Sequence, residues 1–398
     1  MITVEEANKI VLAHRLALPT EDCPIEEAIG RVLMEDLHAD RDFPPYNRVA
    51  MDGIGIHFDA FANGQRVFPI QGISAAGNPQ ISLQNLQHCV EIMTGAVLAE
   101  GADTIIRYED LSIENGRARI NIEDIVKGQN IHWKGLDRKA GTLVVPKGMK
   151  LSSSEIGVAA TVGKNTIKVA KMPTVIIISS GDELVEINET PLPHQIRKSN
   201  VYRLQATLKS WGIEADTAHL IDNEAKIIER IQAIIEEYDV IIMSGGVSKG
   251  KFDFIPSALS HLGVEKLFHK IKQRPGKPFW FGKAPNGCMV FALPGNPVSS
   301  FMCTTRYFKP WLNASLGLEP FPYAYAKLAE DVHFKPDLTY FMQAKVVYQN
   351  DAQITVHPVH GHGSGDLANL VDADVFVELP KGKDLYKAGE IFRILPYR

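Results

Sequence analysis

The chain of 398 residues has only four cysteines, Cys23, Cys89, Cys288 and Cys303. None lies in a CxxC spacing or in a Cys/His cluster, which argues against a disulfide scaffold and a structural zinc site. They read as buried or incidental thiols in a reducing compartment. Long apolar runs are missing as well. Stretches such as Val175-Ile176-Ile177-Ile178 fall far short of the ~20 residues needed to cross a bilayer, so no membrane association is expected. The N-terminal stretch from Met1 to Leu16 carries charges throughout and lacks a signal-peptide core, so a cytoplasmic protein is expected. Positive charge is not in excess. Lys+Arg 42 against Asp+Glu 47 leaves −5, which argues against a generally basic nucleic-acid binder. Tandem repeats and low-complexity tracts are absent too.

What is present is ordinary globular material. Hydrophobic residues at 45% and charged residues at 22% supply cores and argue against global disorder. At roughly 150 residues per domain, the length suggests two to four domains. A helix is expected from Val4 to about Leu18, and a short one over Pro24–Gly30. Between Arg41 and about Lys150 short β-rich stretches alternate with Gly, Asn and Asp turns, which implies a mainly β region. Ser152 to Glu155 is a helix start of the capping-box kind, running to Gly163.

From Pro173 the pattern changes. Continuous apolar strands (Val175–Ile178, Val240–Met243, Met289–Leu293) alternate with helical spacings such as Val201, Leu204, Leu208 and Ile227, Ile231, Ile234. That order implies a parallel sheet wound on both sides. Pro297 to about Leu316 reads as a helix disturbed at Pro310. After about Tyr323 short alternating strands return and read as a small β domain.

Ligands of open α/β sheets sit beyond the carboxyl ends of the strands. Four polar segments fall at such ends: Ser180-Gly181-Asp182-Glu183, Asp222, Ser244 to Gly250 with Asp253 following, and Pro294-Gly295-Asn296-Pro297. The Ser244–Gly250 loop has glycines that let N–H groups approach an oxyanion, although an ordinary Gly-rich turn is as good a reading. Pro297 opens a helix at the same edge. Arg274 and Lys277 flank a Pro-Gly turn and suit an anion, or are solvated loop charges. The acids suggest Mg²⁺ bridging to phosphate, or else helix caps and surface charges; Asp222 before Asn223-Glu224 suits a cap by itself. The prolines at 44 and 45 and the Asp52-Gly53 turn present Asp52 on a rigid loop. His357, His360 and His362 match no standard zinc spacing.

Taken in order, PPYNRVAMDG at 44–53, IMTGA at 92–96, GLDRKAGTLVVPKGMKL at 135–151, SSGDEL at 179–184, SGGVSKGKFD at 244–253, RPGKPFWFGK at 274–283, LPGNPVSS at 293–300 and GSGDLANL at 363–370 resemble the molybdopterin molybdenumtransferase family, which includes the C-terminal domain of gephyrin. The match covers nearly the whole chain. It departs at Asn47-Arg48-Val49, where the family usually has Asp-Asn-Ser, and at Ser248-Lys249-Gly250, followed by Lys251, where it usually has Ser-Val-Gly.

The resemblance implies a multidomain α/β plus β protein. Its parts would be a discontinuous segment over 1–40 and 136–172, an inserted mainly-β domain over 41–135, a doubly wound α/β molybdopterin- and nucleotide-binding domain over 173–322, and a C-terminal β barrel over 323–398. It implies insertion of molybdate into the dithiolene of adenylylated molybdopterin with release of AMP, Mg²⁺ being present. It implies a homodimer whose cleft is shared between subunits, with molybdopterin adenylyltransferase and molybdenum-enzyme chaperones as partners. By position, Asp52 and Thr94 match the partner-subunit wall. Glu183, Asp222 and Asp253 match acidic cleft residues, the last two as metal ligands. Gly245, Gly246 and Ser248 match the nucleotide-phosphate loop, Arg274 and Lys277 the basic turn, Pro294 and Pro297 the ligand-facing loop, and Ser364 a C-terminal serine. A molybdopterin adenylyltransferase and a gephyrin-like scaffold without catalysis are the alternatives. The inserted domain and the barrel disfavour the first, and no feature of the chain specifically supports the second.

Overall fold

The structure is a computed structural model and describes residues 1–398 except 222, 247–253 and 322–323. The chain divides into two compact units. One comprises Cys23–Ile29 and Leu33–Ile167; the other comprises Met1–Asp22, Gly30–Val32 and Lys168–Arg398.

The first unit is built on a six-stranded sheet. Its strand order is Thr104–Arg107, Gly53–Ile56, Cys89–Ile92, Val67–Ser74, Arg117–Ile120 and Leu111–Glu114. Two apolar clusters fill it, one around Val90, Ile92 and Ile105, the other around Ile54, Ile56 and Phe68. The helix Ser153–Thr161 starts where the sequence indicates. Ser152 and Glu155 form the reciprocal capping box, which satisfies two otherwise orphaned backbone donors.

The second unit contains the α/β sheet, in the order Ala215–Leu220, Val175–Ser180, Val240–Ser244, Met289–Leu293, Trp280–Lys283 and Glu265–His269. The first four strands are parallel, and Trp280–Lys283 runs antiparallel to both of its neighbours. The parallel expectation therefore stops short of one edge, and chain length explains why. Only Ala284 to Cys288 connect Trp280–Lys283 to Met289–Leu293. A parallel crossover needs a dozen or more residues, so this link makes a hairpin. One face of the sheet packs Ile176, Ile178, Ile241 and Met243 against Ile227, Ile231 and Ile234 of the helix Glu224–Glu237. Near the hairpin, Phe279, Phe281, Phe291, Phe308 and Trp311 form a chain of ring contacts, with centroids 4.8–6.4 Å apart.

The helical stretch after Pro297 is disturbed just before Pro310. It runs Pro297–Cys303 as α-helix, Thr304–Phe308 as π-helix and Lys309–Ser315 as α-helix. Pro310 has no N–H to give to the carbonyl four residues back, and a widened turn precedes it. The N-terminal helix, expected to reach about Leu18, ends at Ala13. Contacts from Lys309–Ser315 take over there: Trp311 Nε1 donates to the His14 carbonyl at 2.9 Å, and Leu16 N–H donates to Ser315 Oγ at 3.0 Å.

Beyond residue 324 five strands close on themselves. Thr339–Tyr348 pairs with Ile354–Pro358, then Ala324–Leu328, Ile391–Pro396 and Val375–Leu379 follow, and the last pairs back with Thr339–Tyr348. A short strand, Gln273–Arg274, adds to this barrel in parallel with Thr339 and Tyr340. Arg306 fastens the barrel to the α/β helices. It is 2% exposed, gives Glu378 two bonds at 3.1 and 3.3 Å, and donates to Asn8 Oδ1 at 3.0 Å. Among the described residues no helix is long and apolar enough to cross a membrane.

Candidate functional site

The parallel strands of the α/β sheet end at Ser180, Ser244 and Leu293, and the loops that follow lie against one another. Gly245 N–H donates to the Leu293 carbonyl at 3.1 Å. Gly246 has φ +71, and a Cβ there would stand 2.8 Å from Ser180 Oγ and also collide with Ile255. Glycine adopts that backbone without strain, and a side chain there would have to displace both neighbours. Asn200, near the start of the helix Ser199–Ser210, gives one bond to Ser244 Oγ at 3.0 Å and one to the Gly295 carbonyl at 2.6 Å. Glu183 is exposed at the same edge, its carboxylate lying against Gly181.

Beside this edge opens a pocket of about 910 Å³. Its walls are the 273–278 turn, Pro294 and Asn296 with the helix start after them, barrel residues Leu338 to Gln343, and the 359–365 loop. Arg274 and Lys277 both line it, and the described residues that line it include no carboxylate. Neither cation forms an ion pair with another described residue. A lone anion is the natural complement of such a wall. Arg274 lies over Phe334, its guanidinium carbon 5.9 Å from the ring centroid, and Phe334 stacks on Tyr340 at 4.3 Å. Ser364 Oγ accepts from Asn296 Nδ2 at 2.7 Å, and the Ser364 carbonyl accepts from Val298 N–H at 3.0 Å.

The basic turn is held from behind. Gln273 is fully buried; its Nε2 donates to the Gly276 carbonyl at 3.0 Å, and Tyr307 Oη donates to its Oε1. Gly276 has φ +85, and a Cβ there would lie 2.9 Å from Gln273 Nε2 and 3.0 Å from Met302 Cε. Gly276→Ala combines left-handed strain with overpacking, each costing about 1–3 kcal/mol. A thermal melt of this variant should fall by several degrees; an unchanged melting temperature would show that the turn relaxes freely.

Asp52 and Thr94 stand in the other unit, both exposed. Thr94 N–H donates to Asp52 Oδ1 at 2.6 Å, and this bond holds the Asp52 carboxyl below its usual range. Thus Gly245, Gly246 and Glu183 share the strand-end cradle, while Arg274, Lys277, Pro294 and Ser364 line the adjoining pocket. Pro297 opens the helix Pro297–Cys303 behind them. Asp222, Ser248 and Asp253 lie outside the described residues, as do Lys249 and Lys251. The cap of the helix Glu224–Glu237 is Asn223, whose side chain accepts from Lys226 N–H at 3.1 Å.

Gln273 and Asn200 were not legible as site residues, and Asn296 was so only as part of its strand-end segment. Their side-chain partners are 30 to 95 positions away, apart from the short reach of Gln273 to Gly276, and amides carry no charge signal. The cysteines are all buried, and burial pushes the Cys89 and Cys288 thiols up to about 12. Among the described residues no group of three or more His, Cys, Asp or Glu is placed to hold a metal ion, the three histidines at 357–362 included.

Comparison with known proteins gives this geometry a family. Residues 2–163 match the MoeA N-terminal region (domain I and II), 176–314 a probable molybdopterin binding domain, and 325–397 the MoeA C-terminal region (domain IV). A molybdopterin molybdenumtransferase of Synechocystis sp. is 39% identical over 395 residues, covering 98% of this chain and 99% of that protein. One from Staphylococcus epidermidis is 31% identical over 401 residues, covering 99% and 95%. The crystal structure of a molybdopterin biosynthesis moeA protein from Pyrococcus horikoshii has a TM-score of 0.84 at 26% identity and covers 100% of both chains. With such identity over almost the full length of both proteins, the chain belongs to the molybdopterin molybdenumtransferase family.

Proposed function

We propose that this chain is a molybdopterin molybdenumtransferase that inserts molybdate into the dithiolene of adenylylated molybdopterin and releases AMP. The observation that carries the reading is the cation-lined pocket, without carboxylates among its described lining, beside a glycine cradle at the strand ends. The cradle suits a nucleotide phosphate and the pocket a tetrahedral dianion. Holding both reactants in one crevice converts a two-body encounter into a local one. Arg274 and Lys277 offset the dianion's charge, and Ser364 offers a hydroxyl.

Mg²⁺ is assigned to Asp222 and Asp253, both outside the described residues. Among the described acids at the edge, Glu183 offers the hard oxygen donors that this ion takes. Bound there, Mg²⁺ would neutralise phosphate charge. The active form is a homodimer, with Asp52 and Thr94 completing the partner's site, in the cytoplasm.

The test is incubation of purified protein with adenylylated molybdopterin, molybdate and Mg²⁺, following AMP release and cofactor formation. Both should appear together and stop on chelation of Mg²⁺. AMP release without cofactor would leave a hydrolase, and neither product would leave a scaffold. Mixing Asp52→Ala with Asp253→Ala subunits should restore part of the activity, since half of the mixed-dimer sites are intact. No recovery in verified mixed dimers would rule out a shared site.

A further inference from the structure

We propose that Asn200 is a positioning residue that fixes the spacing between the strand-end cradle and the cation-lined pocket. The proposal rests on reading those two places as one reaction site. Both protons of the Asn200 amide are spent on different loops: one goes to Ser244 Oγ at 3.0 Å, the other to the Gly295 carbonyl at 2.6 Å. The first acceptor ends the strand that leads into Gly245 and Gly246. The second lies between Pro294 and Asn296, both of the pocket wall.

The loop carrying Gly295 is fastened again on its far side, where Asn296 Nδ2 donates to Ser364 Oγ at 2.7 Å. A continuous run of bonds therefore leads from cradle to pocket, with Asn200 at the junction. The backbones are close enough for the spacing to matter, since a Cβ on Gly295 would be 3.4 Å from the Gly245 Cα.

Helix capping does not account for Asn200. The N-cap of its helix is Lys198, whose side chain makes no cap bond, and the amide of Asn200 points to the loops instead. One turn on, Arg203 braces the helix that follows this loop, donating to the Pro297 carbonyl at 2.6 Å and to Ser300 Oγ at 2.7 Å. Desolvation lowers this guanidinium to about 10. Arg203 is the structural brace, whereas the side chain of Asn200 bonds to both segments at once.

The test compares Asn200→Ala, Ser244→Ala and the double variant with wild-type protein. Three readouts are taken: turnover at saturating substrates, thermal melting, and amide hydrogen exchange at Gly245, whose N–H is bonded to Leu293. Asn200→Ala should cut turnover by at least tenfold and quicken exchange at Gly245 by a similar factor. Exchange at barrel amides such as Met342 should stay unchanged. Ser244→Ala should lose a few-fold only, because the Gly295 bond survives, and the double variant should be no worse than Asn200→Ala. Wild-type turnover in Asn200→Ala overturns the proposal, as does exchange that rises equally throughout the chain. A wild-type protein that makes no cofactor would refute the proposed reaction, while exchange at Gly245 would still decide whether Asn200 holds the loops.

Discussion

Lys277→Ala is expected to raise the molybdate concentration needed for half-maximal cofactor formation by about 10- to 100-fold, with nucleotide affinity changing far less. The magnitude follows from a charge-assisted hydrogen bond, worth about 1.5–3 kcal/mol, at 1.4 kcal/mol per factor of ten. Lys277 lines the pocket and forms no ion pair with a described residue, so its charge is available to a ligand. Arg274→Ala should act in the same direction, and through geometry as well, because this guanidinium sits over the Phe334 ring. If long-range attraction dominates, the Lys277 effect shrinks at high salt. Titration of molybdate at fixed adenylylated molybdopterin, at two salt concentrations, measures it. An unchanged molybdate requirement with weakened nucleotide binding would assign the turn to the adenylyl phosphate and move the oxyanion toward Ser364.

Asp253→Asn should reduce Mg²⁺-dependent turnover by about a hundredfold or more, which is about 2.7 kcal/mol of activation free energy at 1.36 kcal/mol per tenfold. Asp253 follows the Gly-rich loop, at the kind of strand end where a carboxylate reaches a metal–phosphate group. The rival role is a helix cap, whose loss would cost about 0.5–2 kcal/mol of stability. The next helix, Ile255–His261, has Phe254 at its N-cap position, with no side-chain cap bond. Asparagine would in any case keep most of a cap. Turnover against Mg²⁺ concentration and a thermal melt separate the two. Full activity with a lower melting temperature would sink the metal role.

The legible parts of the fold were those written in local periodicity. The Ser152–Glu155 cap, the apolar strands at 175, 240 and 289, and the helix around Ile231 each need only a few neighbouring residues to specify them. Glu265–His269 and Trp280–Lys283 were missed because charged and aromatic residues blur the strand pattern, and the hairpin direction depends on the length of the following loop. The charged members of the pocket were visible in sequence, since Arg274 and Lys277 flank an obvious turn. Their setting was not. It depends on Gln273 and Tyr307, 34 residues apart, and on barrel residues that meet the turn only in three dimensions.

The short strand carrying Arg274 belongs by hydrogen bonding to the barrel, although by sequence it belongs to the α/β segment. The cation-lined pocket is therefore not portable. An excised α/β module would keep the glycine cradle but carry Arg274 on a strand without its barrel neighbour, against half a wall. A chimera that borrows a barrel from a relative inherits the aim of Arg274 with it, through the register of Thr339 and Tyr340. Swapping barrels while leaving every residue of the basic turn untouched is thus a way to retune which oxyanion the site accepts.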